Sequence, residues 1–272
     1  MFDTHIHTHS SHDCEQEIDE LCISAIEKGV TAVSFTDHID VFAYTEEHNT
    51  NVICKSSEDA DYANKTYGNK LKIFKGVEAG LYHYNADLSK KICDLCDLDI
   101  ILGSVHSFLL NGKKIHFSRD DISQNAVSTE ELIIQADAYF SEMLKTCETA
   151  DIDVLCHLTY PLRYINAKYN RNLDINLYKV KITQILKTLI ERQIALEINT
   201  ARIGTDYNYT APTFDIISEY KQLGGKLITI GSDAHKSDRI ANGFKYVKKQ
   251  LKGLGYGEYY YFEKRKPKFV KL

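Results

Sequence analysis

The feature that most restricts this chain is a recurring pair: a short apolar run, then within a few residues a His, Asp, Glu or polar amide. Phe2 to Ile6 reads as a first strand, with His5 and His7 at its exit. Ala32 to Thr36 precedes Asp37 and His38, Leu71 to Val77 precedes Glu78, and Asp99 to Leu102 precedes His106. Asp153 to Cys156 leads to His157, Ile194 to Ile198 to Asn199 and Thr200, and Lys226 to Ile230 to Asp233 and His235. Segments with helical spacing lie between these runs. Glu15 to Lys28 places Ile18, Leu21, Cys22, Ala25 and Ile26 on one face, and Gly29 stops it. Ser56 to Tyr67 and a short stretch near Asp87 to Leu95 are further helices. The longest opens at Ser128, with Glu131 completing a capping box, and runs to about Ala150. Asp174 caps one that ends at Arg192. Pro212 is placed for the first turn of another, ended by Gly224 and Gly225. The stretch from Asp37 to Lys55 and the one after the fourth strand read as loops. Tyr259 to Phe262 reads as a last strand before a basic tail from Lys264.

Strand–helix alternation implies a parallel sheet. Seven or eight such units in 272 residues predict a closed α/β barrel in a single domain, because no repeat, Pro/Ser linker or composition break divides the chain. The open doubly wound sheet is the alternative, but no GxGxxG follows the first strand to mark a dinucleotide site. In a parallel barrel the carboxyl ends of the strands share one face, and that face is where such enzymes work.

The residue types converging there are metal ligands. His5 and His7 stand two apart on a strand, so both imidazoles point the same way. Histidine with carboxylate, without dominant cysteine, suits zinc, iron or manganese. A structural zinc site closes with four ligands, commonly including thiolates. More candidates than that converge here, which predicts two or three divalent ions, an arrangement that activates water and clamps phosphoryl oxygens. His48, His83 and His116 are expected to be surface or supporting residues, and His9 lies off the strand face. The seven cysteines, Cys14, Cys22, Cys54, Cys93, Cys96, Cys147 and Cys156, form no disulfide framework. The lone Cys93-x-x-Cys96 pair reads as helix positions facing a core in a reducing compartment. A net charge of -5 argues against broad nucleic-acid binding. No apolar stretch is long enough for a signal peptide or a spanning helix, so a cytoplasmic protein is expected.

Asp3-Thr4-His5-Ile6-His7-Thr8 resembles the opening motif of the PHP (polymerase and histidinol phosphatase) superfamily. Thr36-Asp37-His38, Gly76-Val77-Glu78, Gly103-Ser104-Val105-His106 and Gly231-Ser232-Asp233-Ala234-His235 continue the resemblance in the family's order across nearly the whole chain. It implies a distorted (β/α)7 barrel, TIM-like, with up to three metals. The segments Cys156-His157-Leu158-Thr159-Tyr160-Pro161-Leu162-Arg163-Tyr164 and Glu197-Ile198-Asn199-Thr200-Ala201-Arg202 look like the histidinol phosphatase branch. That branch implies hydrolysis of L-histidinol phosphate, a small phosphate monoester, to histidinol and phosphate in histidine biosynthesis.

Carried over by position, the implied ligands are His5, His7, Asp13, His38, Glu78, His106, His157, Asp233 and His235. The family fills the position six after His7 with His or Asp. Here it is Asp13, which ranks His12 as a decoy. Asp37 is expected to orient the cluster by accepting from a ligand imidazole. Arg163 and Arg202 suit phosphate because guanidinium grips it bidentately, and Asn199 joins them as a substrate-binding residue. Asp233 or His235 would protonate the leaving alkoxide. The loop from Asp40 to Lys55, with Tyr44, Glu46 and Glu47, is a candidate for contacts to the substrate's amine and imidazole. The rivals are a PHP phosphoesterase acting on nucleic acid, a phosphotyrosine-protein phosphatase, and a metal-holding module without turnover. The Arg163 and Asn199 segments favour the histidinol enzyme, and the filled ligand positions disfavour a degenerate module. An amidohydrolase also begins with His-x-His, but His106 stands where its bridging lysine would be expected.

Overall fold

The computed structural model describes residues 1–205 and 207–272. A seven-stranded sheet forms its centre in the order β1-β2-β3-β4-β7-β8-β9, every neighbouring pair parallel. The strands are β1 (Phe2–Ile6), β2 (Ala32–Asp40), β3 (Lys72–Gly80), β4 (Ile100–Ser104), β7 (Val154–Leu155), β8 (Ala195–Asn199) and β9 (Ile228–Gly231). The seam between β9 and β1 is closed near its carboxyl end. There Ile6 bridges Ala234, the His7 N–H donates to the Ala234 carbonyl at 3.0 Å, and the Asp233 N–H donates to the His5 carbonyl at 2.8 Å. The result is a nearly closed seven-stranded barrel in one domain, the expected architecture.

Because helices cover the outside and side chains fill the inside, β4, β7, β8 and β9 are buried residue after residue, as parallel strands must be. The long helix Thr129–Thr149 packs Tyr139, Phe140, Met143 and Cys147 inward, and Lys179–Arg192 adds Ile182, Ile185, Leu186 and Leu189. The Ser128 hydroxyl accepts the Glu131 N–H at 3.1 Å, so that predicted cap is in place, whereas Asp174 caps the short 3-10 turn Ile175–Tyr178 and the helix to Arg192 begins only at Lys179, without a side-chain cap.

Several expectations are corrected. The stretch from Asp37 to Lys55 is not a loop: β2 runs on through Asp40, and Glu46–Tyr67 is one helix. Its apolar stripe is sparse and Asn49 is among its buried residues, so hydrophobic periodicity could not reveal its first turns. Thr45 caps it by accepting the His48 N–H. The stretch after the fourth strand contains a hairpin, β5 (Phe108–Leu110) and β6 (Lys113–Ile115), turning at Asn111-Gly112, both with positive φ. Pro212 precedes the helix Phe214–Gln222 instead of opening it, because Thr213 is the capping residue. Cys93 ends a helix but Cys96 lies beyond it. The helix Phe244–Gly253 had no counterpart in the sequence reading.

The basic tail is also a strand. β10 (Glu258–Glu263) and β11 (Lys266–Lys271) pair antiparallel. The Tyr259 hydroxyl accepts the Phe2 N–H at 3.1 Å, Asp99 accepts the Lys264 N–H, and Arg265 pairs with Asp151 and Asp153. These contacts lie at the amino ends of β1, β4 and β7, so the hairpin covers the floor of the barrel and leaves the carboxyl face open. Among the described residues no helix is long and apolar enough to cross a membrane.

Candidate metal centre and active site

Glu78 leaves β3 pointing into the mouth of the barrel, fully buried, and most of the predicted imidazoles surround it. Its Oε2 lies 3.2 Å from His5 Nε2, 3.5 Å from His7 Nε2 and 2.9 Å from His38 Nδ1. Its Oε1 lies 3.1 Å from His106 Nε2 and 2.8 Å from His157 Nε2. The two oxygens of one carboxylate thus face different imidazoles, three on one side and two on the other. Asp233 Oδ1 sits 3.3 Å from His7 Nε2 and 3.8 Å from His5 Nε2. Asp13 reaches from the loop after β1 to His235 Nε2 at 3.3 Å and His38 Nε2 at 3.5 Å. Donor atoms gather within ion-binding reach in three of the possible groupings: His5 with His7 and Asp233, His38 with Glu78 and His106, and His7 with His38 and His235.

Hydrogen bonds behind the ligands fix which nitrogen is bare. Ser11 Oγ donates its single proton to Asp37 Oδ1 at 2.7 Å, so toward His7 Nδ1 at 3.1 Å it can only accept. His7 therefore carries its proton on Nδ1 and presents an unprotonated Nε2. His5 Nδ1 donates to Glu197 at 2.6 Å and His235 Nδ1 to the Asp233 carbonyl at 3.0 Å, with the same consequence. The bare Nε2 atoms of His5 and His7 then face one another at 3.0 Å, a contact that a shared cation makes favourable. This donor set fits divalent metals.

Burial alone would push the Glu78 carboxyl up, but His106, His38 and His5 outweigh it and hold it well below the usual range. Asp233 is likewise opposed by burial and held well below by His5, His7, His235 and Arg163. Burial and the neighbouring His235 and His38 lower His7 to about 3, so it is neutral at ordinary pH. His5 and His38 move the other way: burial opposes, and the carboxylates of Glu197 and Glu78 for His5, and of Glu78 and Asp13 for His38, prevail. A metal ion takes the place of those protons.

Two site residues, His157 at φ 25° and Asp233 at φ 51°, occupy the left-handed region that side chains avoid. The surrounding bonds hold them there. Asp3 accepts the Ser232 and Ala241 N–H groups at 2.9 and 2.8 Å, and Glu197 accepts the His157 N–H at 2.9 Å.

Asp37 requires a correction. Its carboxylate accepts from the Thr8 N–H and hydroxyl and from the Ser11 and Ser56 hydroxyls. It reaches His7 through Ser11 instead of accepting from an imidazole. His12 turns to Arg119, 3.3 Å away, and to Tyr44. Asp13 is the neighbour that meets the imidazoles. Three other histidines stay outside the cluster: His9 lies against Glu17 and Asp59, His48 stacks on Tyr44, and His83 bonds Glu142 and Thr146. His116 Nδ1 lies 2.9 Å from the Ser118 hydroxyl beside the mouth. Burial and the fields of Glu197 and Glu78 push the Cys156 thiol beneath His5 well up.

Above the cluster lies a cavity of about 500 Å³ lined in part by Asp13, Tyr44, Lys114, Arg119, Arg163 and His235. A smaller one adjoins it, where Arg163, Arg202, Asn199 and Tyr209 meet. Arg163 Nη1 is 3.5 Å from Asp233, and the Nε atoms of both arginines and the Tyr209 hydroxyl are buried with no partner among the described residues, as donors awaiting an anion would be. Tyr209 escaped the sequence reading because it sits in an irregular loop with no periodic signal. The Asn199 amide is engaged inside the protein, donating to Glu197 and Asp233 and accepting the Ala201 N–H. Of the acidic loop residues, Glu46 pairs outward with Lys91, and Tyr44 alone of Tyr44, Glu46 and Glu47 lines the cavity.

Fold and site together define a parallel barrel with a multi-histidine metal centre at its carboxyl face. The chain matches the PHP domain model over residues 3–201 and belongs to that family. It is 33% identical to a protein named as a probable histidinol-phosphatase from Clostridium acetobutylicum, over 99% of this chain and 100% of that one. It is 26% identical to a histidinol-phosphatase from Lactococcus lactis, over 94% and 92% of the two chains. A solved histidinol phosphate phosphatase from Lactococcus lactis, complexed with zinc, L-histidinol and phosphate, shares the fold, with a TM-score of 0.79 at 22% identity over 98% of each chain.

Proposed function

We propose that this protein is a cytoplasmic phosphomonoesterase that hydrolyses L-histidinol phosphate to L-histidinol and phosphate in histidine biosynthesis. The observation that carries the reaction class is the junction of two sites: a carboxylate–imidazole cluster built for cations, and beside it two half-buried arginines whose buried Nε atoms have no partner among the described residues. The full-length similarity to proteins named histidinol-phosphatase supports the substrate.

In this reading His5, His7, Asp13, His38, Glu78, His106, His157, Asp233 and His235 hold two or three divalent ions, zinc, manganese or iron. Bound there, such ions activate water and neutralise phosphoryl charge. Arg163, placed on both cavities, and Arg202 grip the phosphoryl oxygens and fix phosphorus above the cluster. The buried Nε atoms strengthen that grip, since little water competes for them. The departing alkoxide needs a proton, and both Asp233 and His235 line the cavity into which it leaves; Asp233, ionised at rest, gives up a proton only after taking it from the attacking water. Tyr44 offers an aromatic face to the rest of the substrate.

The test is phosphate release from L-histidinol phosphate beside a phosphotyrosine peptide, a nucleoside monophosphate and an oligonucleotide. The expected kcat/KM for histidinol phosphate lies above about 10⁴ M⁻¹s⁻¹, well above the others. Slow and equal hydrolysis of all four would remove the substrate assignment and leave the metal phosphatase.

A further inference from the structure

Glu197 stands in the middle of β8, inside an otherwise apolar run, and is completely buried. It is absent from the linings of both cavities around the cluster. A carboxylate in such a place is costly unless each oxygen is engaged, and both are. Oε1 accepts from His5 Nδ1 at 2.6 Å. Oε2 accepts the His157 N–H at 2.9 Å and the Asn199 amide at 3.2 Å, and the same amide donates to Asp233 at 3.2 Å.

We propose that Glu197 is a positioning residue that presets the metal centre, a reading that rests on the cluster being a metal site. Through one carboxylate it fixes three proposed ligands. It sets the His5 tautomer, leaving Nε2 bare toward Glu78. It pins the backbone of His157 in its left-handed conformation. Through Asn199 it steadies Asp233. The sheet order adds a second, independent observation. β9 lies between β8 and β1, so the bond from Glu197 to His5 must pass over β9. It passes at Gly231, where a Cβ would sit 2.2 Å from Glu197 Oε1 and 2.6 Å from His5 Cβ. The glycine that opens the Gly231-Ser232-Asp233 motif is therefore the space this carboxylate needs.

The test is metal affinity. Wild type and Glu197→Gln, each shown folded by circular dichroism, are stripped and titrated with zinc and with manganese against a chromophoric chelator. The Gln side chain keeps the size but puts an amide where the carboxylate accepts from His157 or His5. The tightest site is expected to weaken about 10–100-fold, the range for groups that orient metal ligands. The cobalt-substituted protein should also show an altered absorption spectrum. Should Glu197→Gln fail to fold, Glu197→Asp, which keeps the charge but falls short of His5, carries the same expectation. Unchanged affinity and an unchanged cobalt spectrum in a folded variant would overturn the proposal. A wild type that takes up no metal would instead sink the metal-centre reading itself.

Discussion

Glu78→Gln is expected to strip the protein of most of its metal and to lower kcat/KM by more than about a hundredfold, beyond the upper figure for residues that merely orient ligands. The reason is the place of this carboxylate. Its two oxygens face His5, His7 and His38 on one side and His106 and His157 on the other. Removing the charge takes away the carboxylate shared by five imidazoles and leaves them only the more peripheral Asp233, Asp13 and Glu197 as counter-charges. Those imidazoles respond by losing protons, so the fold is expected to survive while the metal does not. Elemental analysis of the purified variant beside its steady-state kinetics checks this. Full metal content with normal turnover would remove Glu78 from the centre of the site.

Arg163→Ala is expected to separate the two halves of the site. A charged hydrogen bond is worth roughly 1.5–3 kcal/mol, so kcat/KM should fall about 10–150-fold while metal content stays intact. Asp233 keeps its other contacts, to Asn199 and His7, when the arginine is gone. Arg163→Lys should restore only part of the loss, because an ammonium cannot offer the bidentate fork. An unchanged kcat/KM in Arg163→Ala would remove its role in holding phosphate.

The convergence of the proposed ligands was legible because the physics of a parallel barrel puts function where strands end. His5, His7, His38, Glu78, His106, His157, Asp233 and His235 each follow an apolar run, and the fold converts that linear pattern into one cluster. What stayed hidden had no periodic signature. The helix Glu46–Tyr67 is too polar to show a stripe at its start. The route from Asp37 to His7 depends on a serine hydroxyl from another loop, which no spacing rule predicts. Glu197 did leave a trace: a carboxylate inside the run from Ile194 to Ile198 is a charge that must be satisfied once buried. Only the sheet order shows that its partner is His5, across β9.

Cations held by the cluster are expected to drive the hydrolysis. The most direct test is to strip the protein with a chelator and restore zinc or manganese stepwise, following metal bound per chain and phosphate released from L-histidinol phosphate. Negligible turnover is expected in the stripped protein, with activity returning as two to three ions bind. Full activity in the stripped protein, or no dependence of activity on metal bound, would contradict it.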